Sequence, residues 1–140
     1  MAEPVTELTQ NECWDLLRTH EFGRLAFRLV DEIHLTPINY AVDHETLLFR
    51  TAEGDKLLSV ALGSEVAFEI DEYDEDSARS VVVRGTPRLL GEDAAHRAEN
   101  VPLRPWVGDP KYNVVEIVPE VVTGRAFVLS RPWTHLRTDS

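Results

Sequence analysis

Apolar positions along this chain keep two different rhythms. Near the N-terminus, Cys13, Leu16 and Leu17 recur at helical spacing. Just ahead of them, Thr9-Gln10-Asn11-Glu12 has the Thr-x-x-Glu form of a capping box, in which each side chain satisfies a backbone N–H that the first helical turn leaves open. Leu8 and Cys13 stand where a hydrophobic staple would flank it. The spacing predicts a helix over about residues 9–21, closed by "HEFG" near Gly23.

From Arg24 onward the rhythm changes. "RLAFRLV", "IHLTPINYAV", "TLLFRTA", "EVAFEID", "SVVVRGTPRLL" and "NVVEIVPEVVTGRAFVL" are runs rich in Val, Ile, Leu, Phe and Thr, separated by polar turns such as "DE", "DHE" and "EDSA". Six such runs predict a mainly β fold, an antiparallel sheet curled into a barrel over about residues 24–130. Two short helical insertions interrupt it. One is "DKLLSVALG", with Asp55 as N-cap and Gly63 as the stop; the other is "EDAAHRAEN", Glu92 to Asn100. Pro37, Pro87 and Pro119 fall inside strand-like runs, and since proline cannot donate to a ladder they are expected at edges, bulges or strand starts. The acidic run "DEYDED", Asp71 to Asp76, lacks the glycine turn of a calcium loop and reads as a solvated loop.

Composition narrows the class. The 140 residues show no linker, repeat or low-complexity segment and read as one domain. With 43% hydrophobic and 28% charged residues, the chain is globular rather than disordered. A net charge of −11 argues against a nucleic-acid or anionic-membrane partner. It leaves room for a small anion, because exposed charges are screened beyond about 8–10 Å and a few local cations then dominate. The lone Cys13 excludes an internal disulfide. "MAEPVTELTQ" has no basic, apolar leader, and no apolar run reaches about 18 residues, so a cytoplasmic protein is expected.

Local cations are found in "LLFRTAEGDKLLSVALG", Leu47 to Gly63. A helix starting near Lys56 would aim its open N–H groups and positive dipole end at the preceding strand. Thr51 adds a hydroxyl, Arg50 a guanidinium fork and Lys56 an ammonium, the donors that a dianionic phosphate requires. Gly54 permits the tight turn between them. The same residues also suit a plain surface, with Arg50 and Lys56 pairing to Glu53 and Asp55. One strand upstream, "TPINY" offers the amide of Asn39 and the aromatic face of Tyr40 beside Pro37 and Ile38. An edge strand with a buried tyrosine has the same pattern.

In order and spacing, "GRLAF", "PINYAVD", "LLFRTAEGDKL", "EVAFEID", "SVVVRG", "LRPW" and "VEIVPEVVTGR" resemble the pyridoxamine 5'-phosphate oxidase-like family, over about residues 8–127. The resemblance implies a six-stranded antiparallel split β-barrel that forms a homodimer, with FMN at the subunit interface and a small-molecule substrate. It implies a phosphate clamp of Arg50, Thr51 and Lys56, and a ring-binding strand of Pro37, Ile38, Asn39 and Tyr40. It offers Trp106 and Trp133 as aromatics closing the site, roles that core or interface packing would equally fill. The chain departs from close relatives at Ala78-Arg79-Ser80, where Gly-Trp-Ser is common, and it lacks the C-terminal Arg and His pattern of true pyridoxamine-phosphate oxidases. The activity implied is that of a flavin-dependent oxidoreductase on a small organic acceptor. A deazaflavin- or haem-using split barrel and a non-catalytic flavin module are the alternatives.

Other chemistry finds little footing in the residues. His20, His34, His44, His96 and His135 are scattered without metal-ligand spacing. His34 alternates with Ile33 and Leu35 and should face away from them, close to "TPINY". No nucleophile elbow is present, so no protein catalytic residue is expected and the redox chemistry would fall to the flavin.

Overall fold

The computed structural model describes residues 4–52, 64–91, 96–103 and 112–130. Within them the chain forms β1 (Val5–Glu7), α1 (Gln10–Thr19), β2 (Phe22–Leu29), β3 (Glu32–Asn39), β4 (Ala41–Asp43), β5 (Thr46–Ala52), β6 (Val66–Tyr73) and β7 (Ser77–Leu89). A 3-10 turn, His96–Asn100, and β8 (Tyr112–Val128) follow. Each of the six predicted runs is a strand. "IHLTPINYAV" divides at Tyr40 into β3 and β4, and β1 is a short addition that pairs with β8. "DEYDED" also divides: β6 extends through Tyr73, and Asp74 makes the turn by accepting the N–H groups of Asp76 and Ser77, each at 2.8 Å. The predicted helix Asp55–Gly63 lies outside the described residues, as does the first part of the Glu92–Asn100 insertion.

All the ladders are antiparallel, and the sheet runs β3-β2-β6-β7-β8-β5-β4. Its two end strands, β3 and β4, are joined by the single residue Tyr40. A strand advances only about 3.3 Å per residue, so the two edges of the sheet must lie side by side. The sheet is therefore curled into a split barrel. A register shift between Arg84 and Gly85, opposite Pro119, bends the two longest strands. The other prolines obey the same rule: Pro37 lies on the edge strand β3, and Pro87 lies beyond the last β6 partner at Gly85.

The barrel interior is filled by Leu25, Phe49, Phe68, Val83, Val115 and Ile117, with Leu17 of α1 packed among them. Burial of each such side chain contributes about 1.5–3 kcal/mol. Both bonds of the capping box are present, Thr9 Oγ1 accepting from Glu12 N–H at 3.2 Å and Glu12 Oε1 from Thr9 N–H at 2.9 Å. The helix stops at Thr19, before the predicted boundary. Gly23 is not its stop signal: it sits in β2, where a Cβ would lie 2.7 Å from the Glu69 carbonyl oxygen and collide with the Phe68 ring. Gly124 does similar work under α1, since a Cβ there would approach Cys13 Sγ to 2.6 Å. Among the described residues no helix is long and apolar enough to cross a membrane.

A second apolar cluster covers the other face of β4, β5 and β8. It joins Ala41, Leu48 and Val114 to Ala98 and Leu103 of the segment around the 3-10 turn.

Candidate functional site

Side chains alternate without interruption through Tyr40. Ile38, Tyr40 and Val42 face the barrel interior, while Ala41 joins the outer cluster. The register of β4 on β5 pairs Ala41 with Leu48. Continued back through Tyr40, the same register sets Asn39 against Arg50 and Ile38 against Thr51. Here β3 and β5 approach within 8 Å between Cα atoms but form no ladder among the described residues. The two sequence-predicted clusters, ten or more residues apart in the chain, thus lie on strands that approach each other without pairing among the described residues.

Arg50 belongs to the outer face with Leu48, and its Nη1 donates to the Leu103 carbonyl at 3.4 Å. Thr51, one residue on, points to the opposite face. Both are half-buried. A single group can meet both side chains only at the open edge of β5, where the split lies. Asn39 is buried, Ile38 packs on the interior cluster, and Pro37 is exposed on the free edge. Lys56, Trp106 and Trp133 lie outside the described residues.

Tyr40 requires a correction. Its ring is not an open aromatic face but a core element, 1% exposed and edge-on to Phe68 with centroids 4.7 Å apart. Its hydroxyl donates to the Leu17 carbonyl at 2.6 Å, and burial raises its pKa above the ordinary phenol value. The alternative reading of "TPINY", an edge strand with a buried tyrosine, describes this side chain. His34 faces inward as its alternation predicts, stacked on Phe27 at 5.4 Å, while Ile33 and Leu35 are 73% and 68% exposed on the other face.

One polar cluster was not foreseen. Glu116, 1% exposed, accepts from Arg88 Nε at 2.6 Å and lies 2.5 Å from Arg97 Nη2. Arg97 Nε also donates to Asp43 at 2.6 Å, and its Nη2 donates to Thr46 at 3.2 Å. Burial pushes Glu116 and Asp43 up, but the arginine hydrogen bonds outweigh it and both carboxyls titrate below their ordinary values. The only sequence signal was a glutamate inside the apolar run "VVEIV"; its partners Arg88 and Arg97, and Asp43 bound through Arg97, share no local motif. Among the described residues no group of three or more His, Cys, Asp and Glu is placed to hold a metal.

The profile of the pyridoxamine 5'-phosphate oxidase family matches residues 9–126. The chain belongs to that family. It is similar to the FAD binding protein from Mycobacterium smegmatis, with 40% identity and a TM-score of 0.82 over 89% of this chain and 100% of that one. A conserved protein of unknown function from Corynebacterium diphtheriae is 32% identical with a TM-score of 0.78, over 90% of this chain and 100% of that one. An uncharacterized protein of Mycobacterium tuberculosis is 32% identical over 131 residues, 88% of this chain and 86% of its own length. Both solved structures share this fold over about nine-tenths of the chain.

Proposed function

We propose that this chain is a flavin-binding oxidoreductase that holds a phosphorylated flavin, FMN in the first instance, in the split between β3 and β5. The observation that supports the reading is the approach of β3 to β5 without a ladder among the described residues; the β4–β5 register, continued back through Tyr40, would set Asn39 and Ile38 facing Arg50 and Thr51 there. The donor set suits the ligand. A guanidinium and a hydroxyl at the open edge of β5 match a phosphate, and each charge-assisted hydrogen bond contributes about 1.5–3 kcal/mol. The edge strand Pro37–Asn39 gives a flat, largely apolar wall for a ring, with main-chain polar groups along its rim. A bound flavin supplies hydride or electron transfer to a small organic acceptor. The chain's own work is to grip the phosphate, orient the ring and shield one side of it.

A homodimer completes the reading. Ile33 and Leu35 stand exposed on the outer face of β3, toward its β2 turn, and a second copy covering them would extend the wall of the site. FAD is the second candidate ligand, because the 40% identical mycobacterial relative is described as an FAD binding protein.

The deciding experiment is the absorbance spectrum of the purified protein, followed by titration with FMN, FAD and riboflavin. An oxidised-flavin spectrum and tighter binding of a phosphorylated flavin than of riboflavin are expected. Arg50→Ala should weaken FMN binding at least tenfold and leave riboflavin binding little changed. A protein that binds none of the three overturns the assignment. Anaerobic mixing of the loaded protein with NADH or NADPH separates enzyme from carrier, since an oxidoreductase bleaches the flavin. Sedimentation at micromolar concentration tests the dimer.

A further inference from the structure

Arg97 lies on the 3-10 turn, far in sequence from β5, yet it bears on Arg50. The outer face of β5 carries Thr46, Leu48 and Arg50 in alternation; β8 places Glu116 opposite Leu48 and Val114 opposite Arg50. The segment from His96 to Leu103 lies over this face, with Ala98 and Leu103 buried against Leu48 and Val114. Besides the Arg50–Leu103 contact, two features fasten it among the described residues. One is the apolar contact, which tolerates sliding. The other is Arg97, whose Nε reaches Asp43 at 2.6 Å while its Nη2 reaches Glu116 at 2.5 Å.

A buried ion pair contributes little net stability compared with apolar residues of the same volume, because desolvation costs about as much as the attraction returns. Its distinctive property is geometry: a bidentate guanidinium tolerates one placement. That placement decides where the Leu103 carbonyl falls. The carbonyl accepts from Arg50 Nη1 at 3.4 Å, near the outer limit of a hydrogen bond, so a shift of a few tenths of an ångström breaks the contact.

We propose that Arg97, through Asp43 and Glu116, is a positioning residue that sets the Leu103 carbonyl and with it the aim of the Arg50 guanidinium. The proposal rests on the reading of Arg50 as a phosphate ligand. Arg97 does not touch the flavin. It fixes the segment that orients the residue which does.

The test uses FMN and riboflavin as paired probes on the full chain. Arg97→Lys keeps a cation beside Glu116 but loses the fork. It should weaken FMN binding about tenfold, leave riboflavin binding within twofold, and add less than twofold to the loss already produced by Arg50→Ala. Equal losses for both flavins, or a loss fully additive with Arg50→Ala, overturn the positioning role. If Arg97→Lys fails to fold, Asp43→Asn loosens the same fork while leaving the Glu116 pair. It should produce a several-fold loss for FMN alone, and no loss overturns the proposal. The parent reading fails separately, and first, if Arg50→Ala by itself leaves FMN affinity unchanged.

Discussion

The hydroxyl of Tyr40 donates to the carbonyl of Leu17 at 2.6 Å, so the residue at which the sheet passes from one edge to the other also closes the end of α1. The last four carbonyls of a helix have no partner within it. Thr19 Oγ1 takes that of Leu16 at 2.8 Å, and Tyr40 takes that of Leu17. Tyr40→Phe leaves a buried carbonyl open and should cost about 1–3 kcal/mol in urea unfolding. Flavin affinity should not change, because the ring points into the core. A loss of affinity without a loss of stability would return Tyr40 to the cofactor.

Val30 is the first residue of the two-residue loop joining β2 to β3, and it holds φ of 57°. A left-handed conformation costs a residue with a Cβ about 1–2 kcal/mol, and a branched one is least suited to it. Its side chain is 80% exposed and gives little in return. Val30→Gly removes the strain but adds freedom to the unfolded chain, about 0.4–1 kcal/mol. The expected balance is a gain of about 0.5–1 kcal/mol, read as a higher urea midpoint with an unchanged slope.

Stability should fall in acid. Hydrogen bonds from Arg79 hold Glu72 below its ordinary value, Glu12 is held low by Thr9, and Glu116 and Asp43 are lowered as described. For these groups the stabilisation is complete above the unfolded pKa, 4.5 for glutamate, and is lost as pH falls through the lower folded value. Glu69 runs the other way: burial and its neighbour Asp71 raise it, so it favours the fold as pH falls. Among the described residues, four lowered carboxylates against one raised give a net loss below about pH 4.5. Urea midpoints followed through the buried Trp14 between pH 7 and pH 3 should show it, and Glu116→Gln should lower the midpoint at pH 7 while flattening the fall.

Much of this fold was legible because its causes are local. Thr9 and Glu12 are close enough in sequence for their capping bonds to be read directly, and the six strand runs announce themselves by composition. The proline rule held at Pro37, Pro87 and Pro119 for the same reason: a missing N–H is a property of one residue. The sequence misread Gly23 as a stop, because what requires a glycine there is the Phe68 ring arriving from another strand. Arg50 and Thr51 were legible as donors, but the sequence did not show that they lie on opposite faces of β5.

Residue types, turn chemistry and alternation, all interactions of near neighbours, determined by themselves that this chain is an antiparallel barrel with a capped N-terminal helix. Tertiary structure alone decided that β3 ends close to β5 without pairing to it among the described residues, that Tyr40 turns inward, and that Glu116 finds Arg88 and Arg97, with Asp43 joined through Arg97. Each of these depends on which strands become neighbours when the sheet curls. A buried charge or a close approach is stabilised only by partners brought in from distant parts of the chain, and no short stretch of sequence contains them.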